Sequence, residues 1–330
     1  MSTKTGTATD YLDCLNQLRT FLTTDSTLVS LGQNWTELAT NSSSYTVNDN
    51  GQINTVDFES YMCAPGLSGS EAIYINFQAY HNVAADIYNW RIKGAIGFLA
   101  LGGSNTFFTQ PNCSPDAYML MWNQPLTYWF IANGQRVIVV VKIATIYDSG
   151  YFGKFLPYGT SGQFPYPLCI GGAAGSGITG VGDGLEPGLA NVRYSETGNG
   201  HACFFDPYNL FWLDVSNVWR VIGNWFQGTH HSSAQYDSIW PWFYDDGDDL
   251  GAILETNLDG SYPLLQSRLS IGGTSGAPVN ELGELDGVFF STGFGASSES
   301  QITDASSNVY YLFQNAFRTS KENYVALLWA

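Results

Sequence analysis

The string with the most chemical potential is Gly273-Thr274-Ser275-Gly276-Ala277-Pro278. A serine in a Gly-x-Ser-Gly turn can be aimed at a carbonyl carbon, with backbone N–H groups beneath it to receive the oxyanion. Such chemistry also needs a histidine to take the serine proton and a carboxylate to orient that histidine. His81 followed by Asp86 has that order, while His230 and His231 lie closer to Ser275 along the chain. A glycine-rich turn leading into a strand at residues 285–290 explains the same string without any chemistry. Gly175-Ser176-Gly177-Ile178-Thr179-Gly180 matches the dinucleotide pattern G-x-G-x-x-G, but that motif must open a helix whose N-terminus faces the pyrophosphate. Residues 181–188 hold three glycines and Pro187 and cannot form that helix, so no nucleotide cofactor is expected.

Asp245-Asp246-Gly247-Asp248-Asp249 gathers oxygen ligands of the kind calcium takes. The EF-hand spacing and its closing glutamate are missing, and a solvated acidic turn is the expectation. Trp240-Pro241-Trp242-Phe243-Tyr244 and Phe211-Trp212 would stack on sugar rings if exposed, or supply core and subunit contacts if buried. For a chain this rich in aromatics, burial is expected for most of them. No spacing among 29 acidic residues picks out the carboxylate pair of a glycosidase. No residue is therefore assigned to catalysis, to a cofactor or to a metal.

The 330 residues carry 12 Lys and Arg against 29 Asp and Glu, a formal net charge of −17. Only 12% of residues are charged, against the usual share of about 25%. Phe, Trp and Tyr make up 15%, which excludes intrinsic disorder. So few basic residues, scattered through an acidic chain, cannot form the neutralising stripe that nucleic acid requires. Residues 1–10 lack the apolar core of a secretion signal, and the longest tightly apolar run, residues 137–141, is far too short to span a bilayer, so no membrane insertion is expected. Cys14, Cys63, Cys113, Cys169 and Cys203 are odd in number and dispersed, which fits reduced thiols in a cytoplasm better than a disulfide scaffold or a zinc site.

The elements that would position these groups read as mainly β: a sandwich-like antiparallel fold with a short N-terminal helical segment. Asp10 is a candidate N-cap, and Tyr11, Leu12, Leu15, Leu18, Phe21 and Leu22 recur at helical spacing. A second, shorter helix is expected to start near Asp25. Residues 41–54 read as a polar loop. Strands are expected at residues 73–81 and 88–98, and a hairpin with a type I′ turn at Asn133-Gly134, flanked by 126–132 and 135–147. Residues 137–141 are apolar on both faces and read as a central, doubly covered strand. Further strands are expected at 265–271, 285–292 and 309–313, and a short helix within 317–329. The division expected is a helical docking segment at 1–45, a β-rich lobe at 46–170 and a second at 171–330, with one continuous domain spanning both lobes as the alternative.

Several longer strings carry a resemblance. They are the opening at residues 1–13, Tyr128-Trp129-Phe130-Ile131-Ala132-Asn133-Gly134-Gln135-Arg136 running on to Tyr147, residues 153–158, and Phe164-Pro165-Tyr166-Pro167-Leu168 with Gly171-Gly172. Near the end come Leu285-Asp286-Gly287-Val288-Phe289-Phe290, Gly293-Phe294-Gly295 and Phe313-Gln314-Asn315-Ala316-Phe317-Arg318. Together these resemble a family of tailed-bacteriophage and prophage virion structural proteins. The resemblance implies a non-enzymatic tail or baseplate subunit, made in bacterial cytoplasm, whose partners are copies of itself and other virion proteins. Low charge density suits the cores of repeated symmetric interfaces. Two alternatives stay open: a tail-tip protein that binds a host-surface glycan, and a serine hydrolase, since the 273–278 string is similar to the nucleophile loop of chymotrypsin-like proteases.

Overall fold

A computed structural model describes residues 1–49, 51–159, 166–174, 203–205, 210–222, 238–241, 255–271, 280–315, 321 and 324–329. The chain opens with β1 (Ser2–Ala8), α1 (Tyr11–Thr24) and α2 (Ser26–Ser30). Then come β2 (Thr36–Asn41), β3 (Tyr45–Asp49), β4 (Gln52–Ala64), β5 (Ile73–Asn82), β6 (Ile87–Ala95) and β7 (Ala117–Met121). The middle of the chain forms β8 (Leu126–Ala132), β9 (Arg136–Ile143), β10 (Ile146–Lys154), β11 (Leu156–Pro157), β12 (Leu168–Gly171) and β13 (Ala173–Ala174). The last part adds β14 (Leu210–Leu213), β15 (Trp219–Ile222), β16 (Ser238–Trp240) and β17 (Leu265–Ile271). It ends with β18 (Asn280–Phe290), β19 (Gln301–Thr303), β20 (Val309–Gln314) and β21 (Tyr324–Leu328).

Among the described residues these strands make three seven-stranded sheets. The central sheet runs β1-β8-β9-β10-β12-β14-β15. One flanking sheet runs β13-β7-β6-β5-β4-β2, with β3 also on β4. The other runs β16-β17-β18-β21-β20-β19, with β11 on β18. The fold is mainly β, antiparallel and sandwich-like. Alternation along β9 shows how the layers stack: Val137, Val139 and Val141 join the core that holds Met62, Ile75, Phe77 and Trp90. Ile138 and Val140 join the core that holds Leu285, Val288, Phe290, Phe313 and Val325. The doubly apolar strand is central and covered on both sides, as its pattern demands.

The N-terminal segment is part of this build. Asp10 caps α1 by accepting from the Asp13 N–H at 2.8 Å, and Asp13 accepts in turn from the Thr9 N–H at 2.9 Å. Asp25 caps α2 through the Thr27 and Leu28 N–H groups. Tyr11, Cys14, Leu15, Leu18, Phe21 and Leu22 are buried in the same core as the strands. The apolar stripe of α1 is thus covered by the chain's own sheets, and β1 pairs with β8 along its whole length.

Three expectations are corrected. Within the stretch 41–54 expected to be a polar loop, β3 pairs with the start of β4 as a hairpin. Tyr45 and Val47 alternate with exposed polar residues and pack on the core, but two apolar residues are too short a period to stand out in a stretch so rich in Asn, Ser and Thr. Tyr324, Leu327 and Leu328 lie on β21, between β18 and β20, where Val325 and Ala326 are buried on opposite sides; a short apolar run fits either period until its neighbours decide. The hairpin at Asn133-Gly134 has no positive φ at either residue. Asn133 Oδ1 instead accepts from the Gln135 and Arg136 N–H groups, closing a three-residue loop, and β9 stops at Ile143. Gly134 is needed for a different reason. A Cβ there would lie 2.0 Å from the Gly66 carbonyl oxygen, whose own N–H bonds the Gly134 carbonyl.

Candidate functional site

Ser275, Gly175–Gly180 as a motif, His230, His231, Asp245–Asp249 and Trp242 to Tyr244 all lie outside the described residues. His81 is described, and its carboxylate is Asp57, not Asp86. Asp86 is an exposed residue at φ 55° that ends the turn between β5 and β6. A register irregularity between Val56 and Phe58 places Asp57 at a β-bulge, and its Oδ2 lies 2.6 Å from His81 Nδ1. Bulges commonly re-aim one side chain in this way. The Tyr11 hydroxyl, at the first turn of α1, donates to the same Asp57 oxygen at 2.7 Å and sits 3.3 Å from His81 Nδ1. Burial, reinforced by Asp57, pushes the Tyr11 hydroxyl well above its ordinary range, so it stays a donor.

The His81 ring stacks on Tyr88 at 6.1 Å, and Tyr88 in turn lies 5.4 Å from the Tyr11 ring. The Asp57 carboxylate and the Tyr88 ring thus orient the His81 imidazole, which is half of an acid–base device. Its other half would be a nucleophile on Nε2, and His81 makes no such contact among the described residues. The cluster's visible effect is to fasten the start of α1 to β4 and β5, helped by the Trp90 indole N–H, which donates to the Tyr11 carbonyl at 2.8 Å.

Three further polar clusters tie sheets and loops together. In the first, Arg91 is 1% exposed, donates to Gln78 at 2.8 Å and Asp49 at 2.7 Å, and lies 3.3 Å from Asp116. Lys93 pairs with Asp116 at 2.6 Å and donates to the Ser114 carbonyl. Tyr80 and Phe108 pack their rings 5.1 Å from the Arg91 guanidinium. The second centres on Glu59, which accepts from Tyr45, Gln78, Asn41 and Tyr61. In the third, Asp286 Oδ2 accepts from Asn133 at 2.6 Å, Gln135 at 3.1 Å and the fully buried Arg136 at 3.1 Å, joining the central sheet to β18. Burial pushes the Asp286 carboxyl up, but Arg136 and the two amides outweigh it and hold it below the ordinary range. Lys142 and Tyr147 both donate to Glu299 and make a second tie between the same two sheets.

Of the aromatic pairs, Phe211 and Trp212 are buried on opposite faces of β14. None of the five cysteines forms a disulfide; Cys14, Cys169 and Cys203 are buried. No described helix is long and apolar enough to cross a membrane. Sequence reasoning missed Asp57, Asp286 and Arg91. The available signal was only that a charge inside an apolar strand must find a partner. Comparison with known protein families finds no family model that matches this chain, and no curated protein matches it either.

Proposed function

We propose that this chain is a non-enzymatic structural subunit of a bacteriophage virion, a tail or baseplate part that assembles as a symmetric oligomer. The observation that supports it is where the described cations lie. Arg19, Arg91, Lys93, Arg136, Lys142, Lys154, Arg220 and Arg268 each pair with a carboxylate of the same chain. Eight of the ten described cations are thus held by carboxylates of the chain itself, and the Arg136–Asp286 pair joins strands of two sheets. Such a body resists deformation and carries an acidic excess that discourages premature association. The resemblance to virion proteins supplies the biological setting. The test is the position and copy number of this chain in purified particles, by immunogold labelling and quantitative mass spectrometry. Regular stoichiometric occupancy of the tail supports the proposal, and its absence from particles overturns it.

A second reading, attachment to a host glycan, is favoured by Tyr158. The residue is 47% exposed, and its hydroxyl lies 3.3 Å from Glu284 beside the Arg268–Glu281 pair. An exposed ring flanked by carboxylates and a guanidinium is the chemistry that holds a sugar. Glycan-array binding lost in Tyr158→Ala would favour this reading over a pure scaffold. Labelling of Ser275 by a fluorophosphonate would overturn both readings in favour of a hydrolase.

A further inference from the structure

On the reading that this chain self-assembles, we infer that the surface built from Val29, Leu31 and Leu67 is where a second copy of the chain docks. Val29 and Leu31 are each 51% exposed and Leu67 is 47% exposed. They sit on two segments that touch. The Gln33 side-chain amide donates to the Leu67 carbonyl, and a Cβ on Gly69 would lie 3.3 Å from the Gly32 carbonyl oxygen. The base beneath them is fixed. The Gly66 N–H donates to the Gly134 carbonyl, and Trp35, buried next to these segments, donates its indole N–H to the Asn133 carbonyl at 2.9 Å.

Electrostatics selects the occupant. Residues 26–34 and 65–70 contain no charged side chain, in a chain whose formal net charge is −17. The charges bordering them are already engaged: Asp25 caps α2, Glu37 pairs with Arg19, and Glu71 pairs with Lys154. A basic partner would seek the acidic excess elsewhere on the molecule. A copy carrying the same excess can approach closely only where neither side presents charge, because like charges brought together cost several kcal/mol. Ser26, Ser30, Ser68 and Ser70 are exposed around the three apolar side chains. That gives an apolar centre with an uncharged polar border, the composition of a symmetric interface in which one patch meets itself.

The experiment is sedimentation equilibrium of the full chain across a concentration series, for the natural sequence and for Leu31→Asp/Leu67→Asp. Both leucines are half exposed, so the variant is expected to keep the circular dichroism of the parent. Its self-association constant should fall roughly a hundred-fold, as expected for losing two apolar contacts and opposing two carboxylates. Leu258→Asp, at a fully exposed leucine in another turn, should leave that constant unchanged. A photo-crosslinker at position 67, in a mixture of isotopically light and heavy chains, should capture residues 26–34 or 65–70 of the second copy. Association untouched by the double variant, with cross-links elsewhere, overturns this surface and leaves self-assembly standing. A natural chain that stays monomeric at every concentration overturns the self-assembly itself.

Discussion

Asp286 shows what one carboxylate can do in a chain with so few charges. It accepts from Asn133, Gln135 and Arg136, so removing its charge leaves a buried guanidinium without a counter-ion. Asp286→Asn is expected to cost roughly 3–5 kcal/mol at neutral pH, the usual penalty for breaking a buried pair, read as a lower urea midpoint. The pH dependence has a definite sign. Asp286 is held below the ordinary aspartate value of 3.8, so its contribution is full above that value and is lost as pH falls through the lower, folded-state value. The natural chain should therefore lose stability steeply below about pH 4, and Asp286→Asn should flatten that limb. At this scale the sequence was least informative. Asp57 is brought to His81 by a bulge, and no local pattern announces an extra residue in one strand. The nearer carboxylate, Asp86, was nominated because sequence shows proximity and not direction.

Individual elements were more legible, and the reason is period. α1 declares itself through a cap and an apolar stripe, and β9 through five consecutive apolar residues that only a doubly covered strand can bury. The β3–β4 hairpin and β21 did not declare themselves, one because only Tyr45 and Val47 alternate within a polar stretch and the other because its run is too short to separate strand from helix. Turns give the sharpest predictions. β9 and β10 are joined through Ala144 and Thr145, and Ala144 has φ 54°, a conformation that costs an L-residue roughly 1–2 kcal/mol. Ala144→Gly should raise the thermal midpoint by a few degrees, corresponding to about 1 kcal/mol. Gly134→Ala should do the opposite. Its methyl group would have to displace the Gly66 backbone, and overpacking of this kind costs typically 1–3 kcal/mol, visible as a lower midpoint in the same melt.

For the whole molecule, the three sheets cannot be separated by cutting the chain at one place. β1 lies in the central sheet next to β8, and α1 fills the core between the central sheet and the sheet of β4 to β7. Deletion of residues 1–24 is therefore expected to expose apolar surface over both sheets. The truncated chain should bind a hydrophobic dye, lose its cooperative thermal transition and be recovered largely insoluble. A truncated chain that melts like the parent would show that the N-terminal segment is dispensable. This also bears on how interface variants are interpreted. The exposed side chains of α2 and the 65–70 loop can be changed without touching the core, whereas the buried face of α1 cannot.

The loop at residues 133–135 meets Trp35, Gly66 and Asp286 at one point, across sequence separations of 98 and 153 residues. A ribosome adding about 5–20 residues per second reaches Asp286 roughly 8–30 s after Asn133. For that interval Arg136 sits in an otherwise formed hairpin with no carboxylate to answer it. The emerging polypeptide is therefore expected to stay incompletely closed at this point until Asp286 has been translated.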